Sequence, residues 1–236
     1  MSIFGVFEKK DTKVNLDTES LVKKVNQSKD EVHKICLTKK PLNGLKARVG
    51  IVIDRSGSMG SMYSSGMVQR VVEKIVPLAM EFDDNGSMEC WLFNDGFKRL
   101  KDVTLNNLYD FIKREAKGLG LGGTNYAPVM KSVYEEYKRS KVPCYVVFIT
   151  DGDNWDKEEA EERIKEYAKY PIFWQFVGIG KDSFSFLESL DDMEGRYVDN
   201  ADFFSVENPD NITYKQLLDE FPTWLENGKV KGMIGG

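Results

Sequence analysis

The fold prediction starts from the segment Ile51-Val52-Ile53-Asp54-Arg55-Ser56-Gly57-Ser58-Met59. An apolar run here ends in an aspartate, and two serines follow at the second and fourth positions after it. If residues 49–53 form a buried parallel strand, Asp54 leaves the sheet at its carboxyl edge, where open α/β sheets bind their ligands. One carboxylate and two hydroxyls are hard oxygen ligands, which favour Mg²⁺, Mn²⁺ or Ca²⁺ over zinc or copper. Ordinary turn or helix-cap chemistry is the alternative, because aspartate, serine and glycine are common there too.

Two later segments have the same character. Gly122-Gly123-Thr124-Asn125 offers a hydroxyl on a glycine-rich loop before a helical stretch. Val146-Val147-Phe148-Ile149-Thr150-Asp151-Gly152 is a second apolar strand that ends in Asp-Gly. The order Asp-x-Ser-x-Ser, then Thr, then Asp resembles the metal-ion-dependent adhesion site (MIDAS) of von Willebrand factor A domains. All five ligand positions of that motif are matched, and the resemblance covers roughly residues 46–227.

The resemblance implies a specific set of metal ligands. In the family, the two motif serines and the threonine bind the cation, the two aspartates bind it directly or through water, and a sixth position is left for an acidic group of a partner. Carried over, Ser56, Ser58 and Thr124 are hydroxyl ligands, and Asp54 and Asp151 supply negative charge. Two carboxylates facing each other in a crevice repel without a cation. The expected cofactor is one divalent cation, Mg²⁺ first, with Mn²⁺ or Ca²⁺ as alternatives.

Within the family, the chain is most similar to bacterial tellurite-resistance TerF-like proteins. The similarity rests on the Met-Ser-Ile-Phe start, a lysine-rich leader helix, the Asp-Arg-Ser-Gly-Ser-Met loop, and the segment Phe173-Trp174-Gln175-Phe176-Val177-Gly178-Ile179-Gly180. This resemblance implies a cytosolic adaptor in tellurite or other chemical stress or in phage resistance. It also implies a partner protein that supplies an Asp or Glu carboxylate, with TerD-like calcium-binding proteins as candidates.

Composition and charge place the chain among globular proteins. Of its 236 residues, 41% are hydrophobic and 30% are charged, and no segment approaches the ~18–20 apolar residues that cross a membrane. The three cysteines (Cys36, Cys90 and Cys144) are odd in number and widely spaced, which indicates buried thiols in a reducing compartment, the cytoplasm.

The charge is unevenly distributed along the chain. Residues 1–50 carry 11 Lys/Arg and 6 Asp/Glu, and the remainder carries 22 and 32. The basic leader is expected either to touch an acidic partner or membrane surface, or to dock as a helix on its own domain. The acidic remainder argues against nucleic acid as the main ligand.

Alternating strands and helices predict a doubly wound α/β fold. The sheet is expected to be mostly parallel, with one antiparallel edge strand, helices on both faces and an N-terminal helical extension. Strands are predicted at 49–53, 88–93, 97–100, 145–150, 172–177 and 196–198. Helices are predicted at 17–37, 67–82, 105–116, 126–137, 158–168, 184–190 and 214–225. The predicted organisation is a basic extension over 1–45, a von Willebrand A domain over 46–227 and a C-terminal tail over 228–236.

Residues around the motif are expected to tune the site or simply to pack. Arg55 is interpreted as facing a partner's acid or lying on the surface, and Met59, Met62 and Tyr63 as an apolar rim or as buried. Asp153, Asn154, Trp155 and Asp156 either contact the site and its partner, or an aspartate among them caps the following helix. Asn94-Asp95-Gly96 is interpreted as a hairpin turn. Trp91, Trp174 and Trp224 are expected in the core.

The sequence gives little support for an enzymatic function. A serine hydrolase needs a nucleophile motif and a histidine base, but the single histidine, His33, falls on the leader helix. The glycine-rich segment 118–123 follows a helix rather than a strand, which excludes the dinucleotide-binding motif. The leading hypothesis is a non-enzymatic, cation-dependent protein-interaction module. The alternatives are a metal-assisted hydrolase that uses a Mg²⁺-activated water, and a protein that sequesters ions.

Overall fold

The central feature is a six-stranded sheet in the order β3-β2-β1-β4-β5-β6. The computed structural model describes residues 4–152 and 154–234, with side chains from Leu16 onward. Every strand pair is parallel except β2–β3, which is antiparallel at the edge. The strands are β1 (Arg48–Asp54), β2 (Met88–Phe93), β3 (Phe97–Arg99), β4 (Cys144–Thr150), β5 (Ile172–Ile179) and β6 (Ala201–Val206). The predicted fold class is confirmed.

Helices cover both faces of the sheet, because the apolar central strands need burial on both sides. One hydrophobic cluster joins Ile51 and Ile53 to helices on one face, and a second joins Val52 and Trp91 to helices on the other. The helices are α1 (Phe4–Thr38), α2 (Gly60–Ser64), α3 (Met67–Phe82), α4 (Phe111–Glu115), α5 (Ala127–Tyr137), α6 (Lys157–Tyr167), α7 (Ser185–Asp191), α8 (Tyr214–Leu217), α9 (Phe221–Glu226) and α10 (Gly228–Ile234). Within residues 4–152 and 154–234, no helix is both long and apolar enough to cross a membrane.

The N-terminal extension docks on its own domain. Val25, Val32 and Cys36 recur at helical spacing along α1 and are buried in the cluster that also contains α3. Lys39, just after α1, donates from Nζ to the carbonyl oxygen of Leu218 at 2.7 Å. The extension therefore contacts α3 and the loop between α8 and α9, and α1 is longer than the predicted helix over 17–37.

One strand was predicted in the wrong place. The segment Arg196–Val198 is a loop, and the last strand is β6. The loop begins after Gly195, whose φ is +78°, and the Arg196 guanidinium donates to main-chain carbonyls at the end of α7. Arg196 thus satisfies helix-end acceptors instead of entering the sheet.

Two predicted helices are interrupted. The prediction over 105–116 is wrong in its middle, because Asp110 takes a left-handed φ of 52° immediately before α4. The prediction over 214–225 is wrong at residues 218–220, where α8 ends, and Pro222 occupies the first turn of α9. Residues 228–234, assigned to a tail by the sequence, form α10, and Val230 is buried.

Candidate metal centre

The first and third motif segments meet because β1 and β4 are neighbours in the sheet. Ile53 pairs with Ile149, so the chain leaves both strands side by side at the carboxyl edge. From β1 the chain passes to β2 on one side, whereas β4 lies on the other side. This is the topological switch point at which open α/β sheets bind ligands.

Asp54 lies at the centre of this edge with no exposed surface. Its Oδ1 accepts a hydrogen bond from the main-chain N–H of Ser56 at 2.6 Å, and its Oδ2 accepts one from Thr150 Oγ1 at 2.7 Å. Burial raises the pKa of Asp54 to about 6, with those hydrogen bonds opposing the rise and the charge of Asp151 adding to it. Hydrogen bonds therefore orient the Asp54 carboxylate, but no positively charged side chain among the described residues is paired with it.

The two motif serines form a chain of hydrogen-bond contacts that ends at Asp151. Ser56 Oγ and Ser58 Oγ lie 3.0 Å apart, and Ser58 Oγ donates to Asp151 Oδ1 at 2.8 Å. Burial raises the pKa of Asp151, the hydrogen bond from Ser58 opposes the rise, and the charge of Asp182 adds to it. Side chains 93 residues apart in sequence therefore form one oxygen-rich group.

The loop that carries Thr124 is brought to the first motif by main-chain pairing. The carbonyl of Gly122 accepts from the N–H of Gly57 at 3.0 Å, next to a parallel bridge between the two loops. The carboxylate of Asp95 accepts from the N–H of Gly123 at 2.9 Å. Thr124 itself is 9% exposed. The second motif loop is therefore held between the first motif loop and the β2–β3 hairpin.

The donor set suits a hard divalent cation. Two carboxylates and several hydroxyls converge, and among the ion pairs of the described residues none involves Asp54 or Asp151. Mg²⁺ accepts such an all-oxygen shell and completes it with waters. In the described part of the chain, no three His, Cys, Asp or Glu side chains cluster as a metal group. A cation here therefore depends on serine and threonine hydroxyls, and the ligand assignment stays a prediction.

Asp156 has a role that the sequence did not indicate. Its carboxylate accepts from the N–H groups of Tyr126 and Ala127 at 2.9 and 2.7 Å, at the start of α5. It makes no side-chain cap bond to its own helix α6, so the expected capping of the following helix is wrong for this residue. The negative charge stabilises α5 at its positive end and fixes the position of that helix directly after Thr124.

Thr150 was also missed by the sequence reasoning. Its hydroxyl donates to Asp54 and so orients the buried carboxylate. A signal for this role existed, because Thr150 is the one hydroxyl-bearing residue at the carboxyl end of the apolar run 146–150.

Arg55 packs against the protein. Its guanidinium donates to the carbonyls of Leu119 and Gly120 and lies 4.8 Å over the ring of Tyr63. These contacts support the surface-packing interpretation of Arg55, and they tie the loop before Gly122 to the first motif.

The predictions for several other flanking residues have different outcomes. Met59, Trp91, Trp174 and Trp224 are buried, as expected. Asn94 accepts from the N–H of Gly96 in the predicted hairpin turn. Asp153 lies outside the described residues.

Comparisons with known proteins identify the family of the chain. The sequence profile of a family described as vWA-TerF-like, a von Willebrand A domain found in the TerF C terminus, matches residues 46–234. The uncharacterized protein YcbR of Bacillus subtilis (strain 168) is 41% identical over 212 residues, covering 85% of this chain and 86% of YcbR.

Among solved structures, proximal thread matrix protein 1 of the mussel byssus, with a zinc-occupied MIDAS motif, aligns with a TM-score of 0.55 at 16% identity. This alignment covers 73% of the chain and 44% of the mussel protein, so the chain spans less than half of that relative. The manganese-loaded TRAP protein of Plasmodium vivax aligns with a TM-score of 0.51 at 16% identity, covering 68% of each chain. At such identities the similarity shows the fold alone.

Proposed function

The chain belongs to the vWA-TerF-like family of von Willebrand factor A domains, and from that membership and the site geometry we propose that it is a divalent-cation-dependent protein–protein interaction module. Domains of this kind are mostly non-enzymatic interaction modules that act through a bound metal. The observation that carries the proposal is the convergence of Asp54, Ser56, Ser58 and Asp151 into one hydrogen-bonded group beside the loop of Thr124.

Each residue has a distinct part in the proposal. A cation held by Ser56, Ser58 and Thr124, with Asp54 and Asp151 balancing its charge, would supply a positive centre for an Asp or Glu carboxylate of a partner protein. Asp54 is already oriented by two hydrogen bonds, so little side-chain freedom is lost when the ion binds.

We propose Mg²⁺ as the native ion, with Mn²⁺ or Ca²⁺ as alternatives. The all-oxygen donor set supports this choice. The zinc-occupied motif of the mussel protein and the manganese-loaded TRAP protein support a divalent cation in general.

The proposed cellular role is that of a cytoplasmic adaptor in resistance to tellurite, other chemical stress or phage. The TerF-like family membership supports this role. A TerD-like protein is the proposed partner, with its own carboxylate completing the site. The acidic charge of residues 51–236 disfavours nucleic acid as the ligand.

No observation favours the hydrolase. His33 pairs with Glu81 at 2.8 Å, near the end of α3 that lies at the opposite edge of the sheet from Asp54. The only histidine of the chain is thus remote from the candidate metal centre.

The test uses displayed random peptides built around one fixed aspartate, with a second library that carries asparagine instead. We expect the protein to retain aspartate peptides in Mg²⁺ and to release them in EDTA, and we expect Asp54→Ala to retain none. Asp84→Asn, an exposed change at the far edge of the sheet, is the control and should behave as wild type. Retention that is equal in EDTA, or equal for both libraries, would overturn the proposal.

A further inference from the structure

An exposed tryptophan stands directly beside the candidate metal centre. Trp155 leaves 76% of its surface in solvent, whereas the other three tryptophans are buried. Its main-chain N–H donates to the carbonyl of Thr124 at 2.9 Å. Its ring packs over Gly123, where a Cβ atom would lie 2.5 Å from the indole. The indole is therefore held against the second motif loop and still presents most of its surface to solvent.

A second exposed apolar side chain belongs to the second motif loop itself. Leu121 is 48% exposed, and its Cδ1 would lie 3.1 Å from a Cβ atom placed on Gly60, which follows the first motif. Leu121 and Trp155 thus flank Gly122 and Gly123, immediately before Thr124. Exposed apolar side chains grouped around a binding site are a mark of an interaction surface.

Charge around the site restricts what can dock there. Asp95 and Asp156 bond to main-chain groups of the second motif loop and of α5, and Asp182 adds negative charge near Asp151. A partner segment with several acidic residues would be repelled by these carboxylates outside the immediate contact with the cation. A single carboxylate with uncharged neighbours has no such penalty.

We propose that Trp155, with Leu121, selects partner segments in which one metal-binding Asp or Glu is flanked by apolar or aromatic residues. The proposal rests on the proposed cation-dependent function and names the class of partner that this site accepts. The Trp155 ring is already held against Gly123, so it loses little conformational entropy when a partner binds. Tryptophan is also among the residues that contribute most to the binding energy of protein interfaces. Leu121 adds further exposed apolar surface from the same loop.

The same peptide libraries test the proposal through the residues next to the fixed aspartate. Wild type, Trp155→Ala, Trp155→Phe and Tyr197→Ala are compared in Mg²⁺, with elution by EDTA. Tyr197 is a matched control, because it is an exposed aromatic residue (45%) in the loop before β6 begins, at the edge of the sheet opposite to the metal centre.

We expect wild type and Tyr197→Ala to enrich apolar or aromatic residues beside the aspartate and to deplete acidic ones. Trp155→Ala should lose this enrichment and bind the selected peptides about tenfold or more weakly, the size typical of a tryptophan at the centre of an interface. Trp155→Phe should keep part of the enrichment for apolar or aromatic neighbours. The inference is overturned if wild type selects random residues beside the aspartate, or if Trp155→Ala shows the same enrichment as wild type. In either case the proposed function still stands as long as aspartate peptides bind in Mg²⁺ and are released by EDTA. Loss of that aspartate binding overturns both.

Discussion

Replacing Asp54 by asparagine should stabilise the metal-free protein and destabilise the metal-bound one. Asp54 is fully buried, and its pKa is raised from 3.8 to about 6. The folded state therefore binds a proton more tightly than the unfolded state, so stability falls as pH rises from about 4 through 6. A shift of about two units costs roughly 3 kcal/mol above pH 6, at 1.36 kcal/mol per unit.

Asparagine removes this cost but disturbs the hydrogen bond that Thr150 donates to Asp54 Oδ2. A rearranged hydrogen bond costs about 1 kcal/mol, which leaves a net gain of about 1–2 kcal/mol for Asp54→Asn in EDTA at pH 8. For a domain of this size that raises Tm by roughly 2–8 °C. Mg²⁺ at about one hundred times its Kd adds about 2.7 kcal/mol to wild type, and it should add little to the variant.

The assay is a thermal melt of both proteins in EDTA and in Mg²⁺, at pH 8 and at pH 4. The order of stability should reverse between EDTA and Mg²⁺ at pH 8. In EDTA near pH 4, where Asp54 is protonated in folded wild type, the variant should lose its advantage and be equal to or slightly less stable than wild type, because the cost of the rearranged hydrogen bond remains. Asp84→Asn should show the same small change in every condition, because that side chain is exposed. A variant that is less stable than wild type by the same amount in EDTA and in Mg²⁺ would refute the reasoning.

Two further predictions concern residues around the site, and a third concerns a carboxylate at the other end of the sheet. Gly123→Ala should abolish Mg²⁺-dependent stabilisation in melts, because its Cβ would collide with the carboxylate of Asp95, which holds the N–H of Gly123, and with the ring of Trp155 at 2.5 Å. An unchanged Mg²⁺ response would contradict this. Asp156→Ala should lower the free energy of unfolding by ~1–2 kcal/mol in EDTA, measured by urea denaturation, because the start of α5 loses its cap. Burial, followed by nearby aspartate charges, raises the pKa of Asp191 to about 7, so wild type should lose stability as pH rises from 4 to 7. Asp191→Asn should show a smaller loss in urea titrations across this range, because only Asp54 and the other buried carboxylates still contribute to it. Parallel pH profiles of the two proteins would argue against this prediction.

Much of the fold is predictable because its signals are local. The short, largely apolar runs that form β1, β2, β4 and β5 are typical of strands buried on both faces. The 3.6-residue period of α3 likewise specified a helix of the predicted length. The weaker elements lacked such signals: β6 is an edge strand with a half-exposed surface, and only pairing with β5 distinguishes it from the preceding loop.

The sequence by itself determined which residues are candidates for binding a cation, because hydroxyls and carboxylates after apolar strands are readable from residue type and order. Only the tertiary structure placed β1 beside β4 and thus Ser58 within 2.8 Å of Asp151. It also decided that Asp156 caps α5 and that Trp155 stands exposed over Gly123. These contacts join residues that are distant in sequence, and their energies depend on burial and on the strand order of the whole sheet. A local pattern carries no information about either.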